Sequence, residues 1–242
     1  MFKTPPAGPS PIHIAREHRT LPDTPAALVT AGRAPPAPLD PRTERTFFSF
    51  PGDPISRFQA LLALAQTNIY DATAMSLATV SAEGKPSSRI VLLKAVDAQG
   101  FSFFTNLGSR KGREALGRPD VALLFSWGAL EVQVRIEGRA SKVTEQEADD
   151  YFATRPRGSQ LGAWASVQSA PLASRGELEQ RLLEITARFE GKPVTRPPGW
   201  SGFRVSPLSI EFWRNRESRL HDRDLYTRPN AGAPWAQTLL NP

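Results

Sequence analysis

Three side chains near the C-terminal end of the chain have the types and spacing needed to bind an anion. Arg219, His221 and Arg223 alternate in the string RLHDR, so on a β-strand they would share one face. Burying such groups together costs free energy unless anionic partners compensate them. The pattern therefore predicts a negatively charged ligand, and a basic ribbon that binds nucleic acid is the alternative.

A second pair of cations brackets an apolar run. Arg89 and Lys94 flank residues 90–93, and strand alternation directs the two side chains to opposite faces. A lysine at the end of a buried strand needs an anion or water as its partner. Ordinary solvated charges near a strand end are the alternative interpretation.

A predicted strand-to-helix junction carries the next group. Thr105 precedes Ser109, a predicted N-cap, and Arg110 and Lys111 follow it. Free backbone N–H groups and the helix dipole favour anions at such a junction, and the two cations strengthen that preference.

Residues 151–169 combine Tyr151, Arg155 and Ser159 with Trp164. Guanidinium forks and hydroxyl groups can surround a phosphate. A surface helix and loop with ordinary charges is the alternative.

Several mechanisms are excluded by what the sequence lacks. It has no cysteine and three histidines, of which only His221 lies outside the first 45 residues. A metal site with two or three histidines is therefore excluded from the globular part, and no metal is predicted. The sequence also lacks the nucleophile elbow of hydrolases, the P-loop and the dinucleotide fingerprint.

The net charge of +6 and a pI near 10.0 suit anionic partners. No apolar run approaches the roughly 20 residues that cross a bilayer, and no signal-peptide core is visible at the N-terminus. We expect a cytoplasmic protein that binds no membrane.

The elements that must position these residues begin after a proline-rich segment. Residues 1–45 hold 10 of the 23 prolines, and we expect a mostly disordered arm followed by one domain at residues 46–242. Asp53-Pro54 predicts a helix start. Further helices are predicted at 109–117, 144–153 and 174–190, and strands at 74–81, 87–95, 101–105, 119–127, 130–143, 202–214, 218–228 and 234–240. Strands joined by hairpins with flanking helices predict a mainly β, α+β fold whose antiparallel sheet closes into a sandwich or barrel.

Five strings in this order resemble one known family, the pyridoxine/pyridoxamine 5′-phosphate oxidases. They are RIVLLK at 89–94, FFTNLGSRK at 103–111, RPRGSQLGAWASVQS at 155–169, GFRVSPLSIEFW at 202–213 and RLHDR at 219–223. The resemblance implies an FMN-binding split β-barrel that forms a homodimer with FMN at the interface.

The resemblance also implies roles for individual residues. FMN contacts would come from Arg89, Ile90, Val91, Leu92, Leu93, Lys94, Phe104, Thr105, Arg110, Lys111, Gln133, Gln168, Ser169, Trp213 and Arg223. Substrate contacts would come from Lys94, Tyr151, Arg155, Ser159, Arg219, Leu220 and His221, with Arg219 and His221 as the catalytic pair. The family usually has tyrosine at position 104, where this chain has phenylalanine.

The implied reaction converts a phosphorylated B6 vitamer, pyridoxamine or pyridoxine 5′-phosphate, into pyridoxal 5′-phosphate. A hydride would leave the substrate C4′ carbon for flavin N5, and O2 would then take the electrons and yield H2O2. The amine substrate would also release ammonia. Residues 15–19 match poorly the segment that helps to cover the substrate in this family.

Two alternatives remain open. A related flavin oxidase that acts on phenazine precursors would share the barrel and the FMN site, but it has little use for a phosphate-binding set at Lys94, Tyr151, Arg155 and Ser159. A flavin-binding or nucleic-acid-binding module without catalysis is the alternative from a different class.

Overall fold

The computed structural model describes residues 53–242 and the backbone of residues 12–13. Ten strands form one antiparallel sheet: β1 (Ile12–His13), β2 (Ala74–Val80), β3 (Pro86–Leu92), β4 (Ala95–Asp97), β5 (Gly100–Asn106), β6 (Asp120–Trp127), β7 (Val132–Lys142), β8 (Trp200–Arg214), β9 (Asp222–Thr227) and β10 (Ala236–Leu239). Their order is β1-β4-β5-β8-β7-β6-β2-β3, and β9 and β10 extend from β8. Five helices flank the sheet: α1 (Pro54–Asn68), α2 (Arg110–Gly117), α3 (Glu145–Thr154), α4 (Arg157–Ala165) and α5 (Arg175–Arg188). The predicted fold class, a mainly β, α+β fold with an antiparallel sheet and flanking helices, is confirmed; the sheet is curled into a half-barrel.

Helix α1 closes the core of the half-barrel. The Asp53 carboxylate accepts hydrogen bonds from the backbone N–H groups of Ile55 (3.2 Å) and Ser56 (3.0 Å), which confirms the predicted helix start. The Phe58 ring then packs on Phe101, with ring centroids 4.8 Å apart. This contact joins the helix to β5, the strand that continues into the candidate site.

The two longest strands bend together. The β7–β8 register shifts between Glu137 and Gly138, which marks a β-bulge. A Cβ at position 138 would lie 2.2 Å from the Ser206 carbonyl oxygen, so the close approach requires glycine.

The structure corrects the prediction of a single strand at 87–95. The backbone N–H of Leu93 donates to Thr73 (2.9 Å), whereas that of Lys94 donates to Ser102 (2.8 Å). The chain therefore changes its pairing partner between these two residues, and β3 ends where β4 is about to begin.

Helix α4 was not among the predicted elements.

Within the proline-rich segment, Ile12 pairs with Val96 at the edge of the sheet. The rest of residues 1–45 lies outside the described residues, so the disorder expected there stays a prediction.

Candidate active site

An open cavity of about 850 Å³, called the first cavity here, lies between the sheet and helices α2, α3 and α4. It brings together most of the site residues predicted from the sequence. The predicted residues that line it are Arg89, Ile90, Val91, Leu92, Lys94, Phe104, Thr105, Lys111, Tyr151, Arg155, Ser159 and Gln168. Leu93 is instead fully buried in the core, and Arg110 and Ser169 are not among the residues that line the cavity.

One end of the first cavity is strongly basic. The Lys111 Nζ lies 3.1 Å from the Gln168 Oε1, which also accepts from the Thr105 hydroxyl at 3.0 Å. Burial lowers the pKa of Lys111, and the positive charge of Arg89 lowers it further. Because both effects penalise the charged lysine, a bound anion would be favoured at this end.

The lining also includes Arg155, an arginine with an unused donor. The Arg155 Nη1 is buried and has no hydrogen-bond partner among the described residues. The guanidinium lies over the Trp200 ring, 4.9 Å from its centroid, and burial lowers the pKa of Arg155. A buried cationic donor without a partner costs free energy, so this group is suited to an anionic ligand.

Three stacked aromatic rings form another part of the cavity lining. Phe104 stacks on Tyr151 with ring centroids 4.1 Å apart, and on Trp200 at 5.5 Å. Gly202 lies opposite Phe104 in the β5–β8 pairing, and a Cβ there would lie 2.7 Å from the Phe104 ring. Stacking therefore holds the Phe104 ring in place, and Gly202 leaves the room that the ring needs. Neither contact requires the hydroxyl of a tyrosine.

A smaller depression of about 300 Å³, called the second cavity here, lies near the far end of β8. Its lining includes the predicted residues Gln133, Trp213 and Arg223. The Glu211 carboxylate, in a residue only 5% exposed, accepts from the Arg223 Nε at 2.7 Å and from the Arg135 Nη1 at 3.0 Å. This buried carboxylate fixes the direction of Arg223.

The predicted strand through Arg219, His221 and Arg223 is wrong at its start. Residues 217–219 form a 3-10 turn, and β9 begins only at Asp222. Ser218 and Arg219 both adopt left-handed backbone, with φ of 55° and 62°. Arg219 therefore lies in a turn and does not share a strand face with Arg223.

The same turn orients His221. Its ring packs on Trp213 with centroids 4.5 Å apart, and its Nδ1 accepts a hydrogen bond from the Arg216 backbone N–H at 3.2 Å. Because Nδ1 is the acceptor, the neutral ring carries its proton on Nε2. The Arg216–Asp222 ion pair, with Nε and Oδ2 2.6 Å apart, closes the base of the turn.

We expect Ser218→Val to lower the free energy of unfolding by about 1–2 kcal/mol, because a β-branched residue tolerates left-handed backbone poorly. The Ser218 side chain is exposed, so lost packing would not explain the result. Ser218→Gly is the matched control and should unfold like the wild type in urea. Equal stability of the valine and glycine variants would contradict the assigned strain.

Sequence reasoning missed two buried carboxylates, Glu211 and Glu114. The Glu114 carboxylate accepts from Thr79 (2.5 Å), Ser87 (2.7 Å) and the Arg110 Nε (2.8 Å). The only local signal was the spacing of Arg110 and Glu114, four residues apart on α2. The contacts to β2 and β3 depend on tertiary structure.

We expect the stabilising effect of Glu114 to depend on pH. Burial alone would raise its pKa, but hydrogen bonds from Thr79, Arg110 and Ser87 outweigh burial and lower the pKa from 4.5 to about 2. A carboxyl group with a depressed pKa stabilises the fold above its unfolded pKa, and this contribution is lost as the pH falls toward the folded value. Urea unfolding should therefore separate wild type from Glu114→Gln at about pH 6 and much less at about pH 3. A difference that is constant over this range would contradict the assignment.

The solved structures most informative for this chain are split barrels. PhzG from Burkholderia lata, in complex with tetrahydrophenazine-1-carboxylic acid, superposes with a TM-score of 0.76 at 32% identity, over 84% of this chain and 98% of that one. An FMN-binding protein from Nostoc punctiforme, related to pyridoxamine 5′-phosphate oxidase, has a TM-score of 0.63 at 16% identity over 80% and 100%. The chain is a split-barrel protein.

Family models and relatives narrow the class. Residues 61–189 match the pyridoxamine 5′-phosphate oxidase model, and residues 200–242 match the C-terminal dimerisation region of pyridoxine 5′-phosphate oxidase. Pyridoxine/pyridoxamine 5′-phosphate oxidases from Rubrobacter xylanophilus and Myxococcus xanthus are 56% and 55% identical to this chain. The Rubrobacter match spans 78% of this chain and 87% of that relative, and the Myxococcus match spans 79% and 93%. The chain belongs to the pyridoxine/pyridoxamine 5′-phosphate oxidase family and is an oxidase, as the resemblance implied.

The match at residues 200–242 also supports a homodimer. Among the described helices, none is long and apolar enough to cross a membrane.

Proposed function

We propose that the chain oxidises pyridoxamine 5′-phosphate or pyridoxine 5′-phosphate to pyridoxal 5′-phosphate, with FMN as cofactor and O2 as electron acceptor. H2O2 would be released, and with the amine substrate water would hydrolyse the product imine to the aldehyde and ammonia. The observation that carries the proposal is the unpartnered, buried Arg155 Nη1 in the cavity that also holds the basic end at Lys111. One cavity whose lining includes Arg89, Lys111 and Arg155 has enough cationic groups for two phosphorylated ligands.

The residues present fit FMN. Arg89, Arg110 and Lys111 would meet its phosphate, and the depressed pKa of Lys111 supports an anion at this end. The ring system would lie along residues 90–94, Phe104 and Thr105. Gln168, in hydrogen-bond contact with both Thr105 and Lys111, and its neighbour Ser169 would complete this side.

A second subunit would complete the site. Thr105 pairs with Ser201 near one end of β8, and Gln133 pairs with Trp213 near the other. Twelve residues at about 3.3 Å each separate these positions along the strand. Because one chain holds the two cavities so far apart, we propose that Gln133, Trp213 and Arg223 contact the FMN held in the partner's first cavity.

Bound FMN would supply the two-electron redox chemistry, accepting hydride from the substrate and passing electrons to O2. The protein's own groups would bind and orient the substrate. Arg155, with Lys94, Tyr151 and Ser159, would hold its phosphate by charge-assisted hydrogen bonds. Arg219 and the Nε2–H of His221 would hold the pyridine ring, and the exposed Leu220 between them would contact it.

The PhzG structure favours a second candidate, oxidation of a phenazine precursor. That substrate class has a carboxylate and no phosphate, so it would use the basic group around Arg155 less fully. We prefer the phosphorylated substrate because Arg155, Lys94, Tyr151 and Ser159 all line the first cavity. A nucleic-acid partner is not proposed, and a cytoplasmic location stays a prediction.

The test is oxygen consumption by the full chain loaded with FMN, with each phosphorylated vitamer as substrate and peroxide measured as product. Unphosphorylated pyridoxamine is the matched control substrate. We expect turnover of the phosphorylated vitamers and little turnover of the control. Flavin retention without peroxide from either vitamer would contradict the proposal.

A further inference from the structure

The Glu114 carboxylate connects two arginines, Arg89 in the lining of the first cavity and Arg110, the chain neighbour of the lining residue Lys111. Its Oε1 accepts from the Arg110 Nε at 2.8 Å, and its Oε2 lies 3.4 Å from the Arg89 Nη2. The residue is 8% exposed, so the carboxylate does not face solvent. These contacts connect α2 to β3 at the point where both approach the cavity.

The hydrogen bonds determine which arginine donors stay available. Both Nη groups of Arg89 are engaged, donating to the Leu77 carbonyl and to Thr79, Ser87 and Glu114. Arg110 uses its Nε for Glu114, and neither of its Nη groups has a hydrogen-bond partner in the described part of the chain. Arg110 thus keeps the donor fork that suits a phosphate, whereas Arg89 contributes mainly positive charge.

Charge repulsion gives the carboxylate a second effect. Arg89, Arg110 and the half-buried Lys111 are three cations on adjoining elements, and Arg89 already disfavours the charged form of Lys111. A buried anion between two of the three reduces their repulsion when no ligand is bound. Removal of this anion should let the exposed Arg110 side chain leave its position.

We propose that Glu114 is a positioning residue for FMN, holding Arg89 and Arg110 so that the cofactor phosphate meets a preformed site. The inference rests on the proposed FMN function. It concerns the phosphate alone, because the contacts of Glu114 lie at the Lys111 end of the cavity and not along the stacked aromatic rings. Two other roles for Glu114 make different predictions. If Glu114 only supported the fold, its removal would weaken the binding of any flavin equally. If it acted only through its negative charge, its removal would strengthen the binding of the FMN phosphate.

The experiment compares FMN with riboflavin, which lacks the phosphate, by quenching of flavin fluorescence on the FMN-free full chain. For Glu114→Gln we expect the Kd of FMN to rise about tenfold or more, whereas the Kd of riboflavin should change less than about twofold. Glu179→Gln is the matched control, because it removes the carboxylate of an exposed Arg175–Glu179 ion pair on α5. It should bind both flavins like the wild type.

Two further variants separate position from charge. Glu114→Asp keeps the charge but shortens the side chain, so a positioning role predicts weaker FMN binding here too. In an Arg110→Gln background, Glu114→Gln should have a smaller additional effect on the Kd of FMN, because the part of its action that passes through Arg110 is already lost. The aspartate variant also serves if the glutamine variant does not fold.

The outcomes are distinct. Unchanged or tighter FMN binding by both Glu114 variants would overturn the inference, as would equal weakening of FMN and riboflavin. Failure of the wild-type chain to bind FMN would instead contradict the proposed function.

Discussion

Arg155→Ala is expected to raise the KM for pyridoxamine 5′-phosphate about 100-fold, while the FMN content of the protein stays near that of the wild type. Removing one partner of a buried, charge-assisted hydrogen bond costs about 2–5 kcal/mol of binding free energy. The expected factor corresponds to the lower half of this range. Steady-state oxygen consumption measures the KM, and flavin absorbance measures the FMN content.

The effect of Arg155→Ala on the free energy of unfolding provides a second, independent test. The Arg155 Nη1 is buried without a partner in the ligand-free chain. Relief of this unpaired donor should offset the lost stacking on Trp200, so Arg155→Ala should change the free energy of unfolding little in the absence of substrate. A residue retained for function and not for stability behaves in this way. Urea unfolding of the FMN-free protein tests the point independently of activity.

Two controls refine the Arg155 prediction. Arg175→Ala removes an exposed arginine paired with Glu179 on α5 and should leave the KM unchanged. Arg155→Lys keeps the charge but loses the planar fork and the stacking on Trp200, so it should restore only part of the affinity. If Arg155→Ala turned over phosphorylated substrate with an unchanged KM, the assignment of the phosphate site would be wrong.

The second large effect is expected at the turn that carries Arg219 and His221. Arg219→Ala and His221→Ala should each lower kcat about 100-fold, with less than about a threefold change in the Kd of FMN. The reason is geometric: His221 is fixed by Trp213 and by the Arg216 backbone N–H, which leaves its Nε2–H for the substrate. Rapid mixing with substrate under anaerobic conditions would measure the rate of flavin reduction directly.

Glu217→Gln provides a control in the same turn, since its side chain is exposed and has no assigned role. It should reduce flavin at the wild-type rate. Equal rates for wild type, Arg219→Ala and His221→Ala would remove both residues from the proposed mechanism.

Local signals in the sequence predicted much of the fold. The start of α1 was predicted from Asp53-Pro54, and the Asp53 side chain caps the helix as expected. Alternation of apolar residues predicted the strand at 74–81, and in β2 Met75, Leu77 and Thr79 are all buried on one face. Such features depend on neighbouring residues, which are visible in the sequence.

Other features depend on distant partners and could not be predicted in this way. The break between Leu93 and Lys94 exists because Thr73 and Ser102 each accept one hydrogen bond there. The left-handed backbone at Ser218 and Arg219 could not be predicted, because neither residue is a glycine.

The candidate site shows the same division. Resemblance identified residues that line the two cavities, but their separation along β8 needed the strand register. The roles of Glu114 and Glu211 were not predicted, because most glutamates are exposed and the sequence does not show which arginines contact these two.

The separation of the two cavities along β8 has a genetic consequence. If each site combines the first cavity of one subunit with the second cavity of its partner, as proposed, Arg155→Ala would impair the first component and Arg223→Ala the second. A dimer that contains one subunit of each variant would then combine both lesions in one site and leave the other site intact. Equal amounts of the two variants that pair at random give half mixed dimers. At substrate concentrations near the wild-type KM, where Arg155→Ala alone is nearly inactive, the mixture should recover about one quarter of the wild-type activity. The two cavities would then behave as separate complementation groups within one gene, and a cell that carries both alleles would be less deficient than a cell that carries either alone.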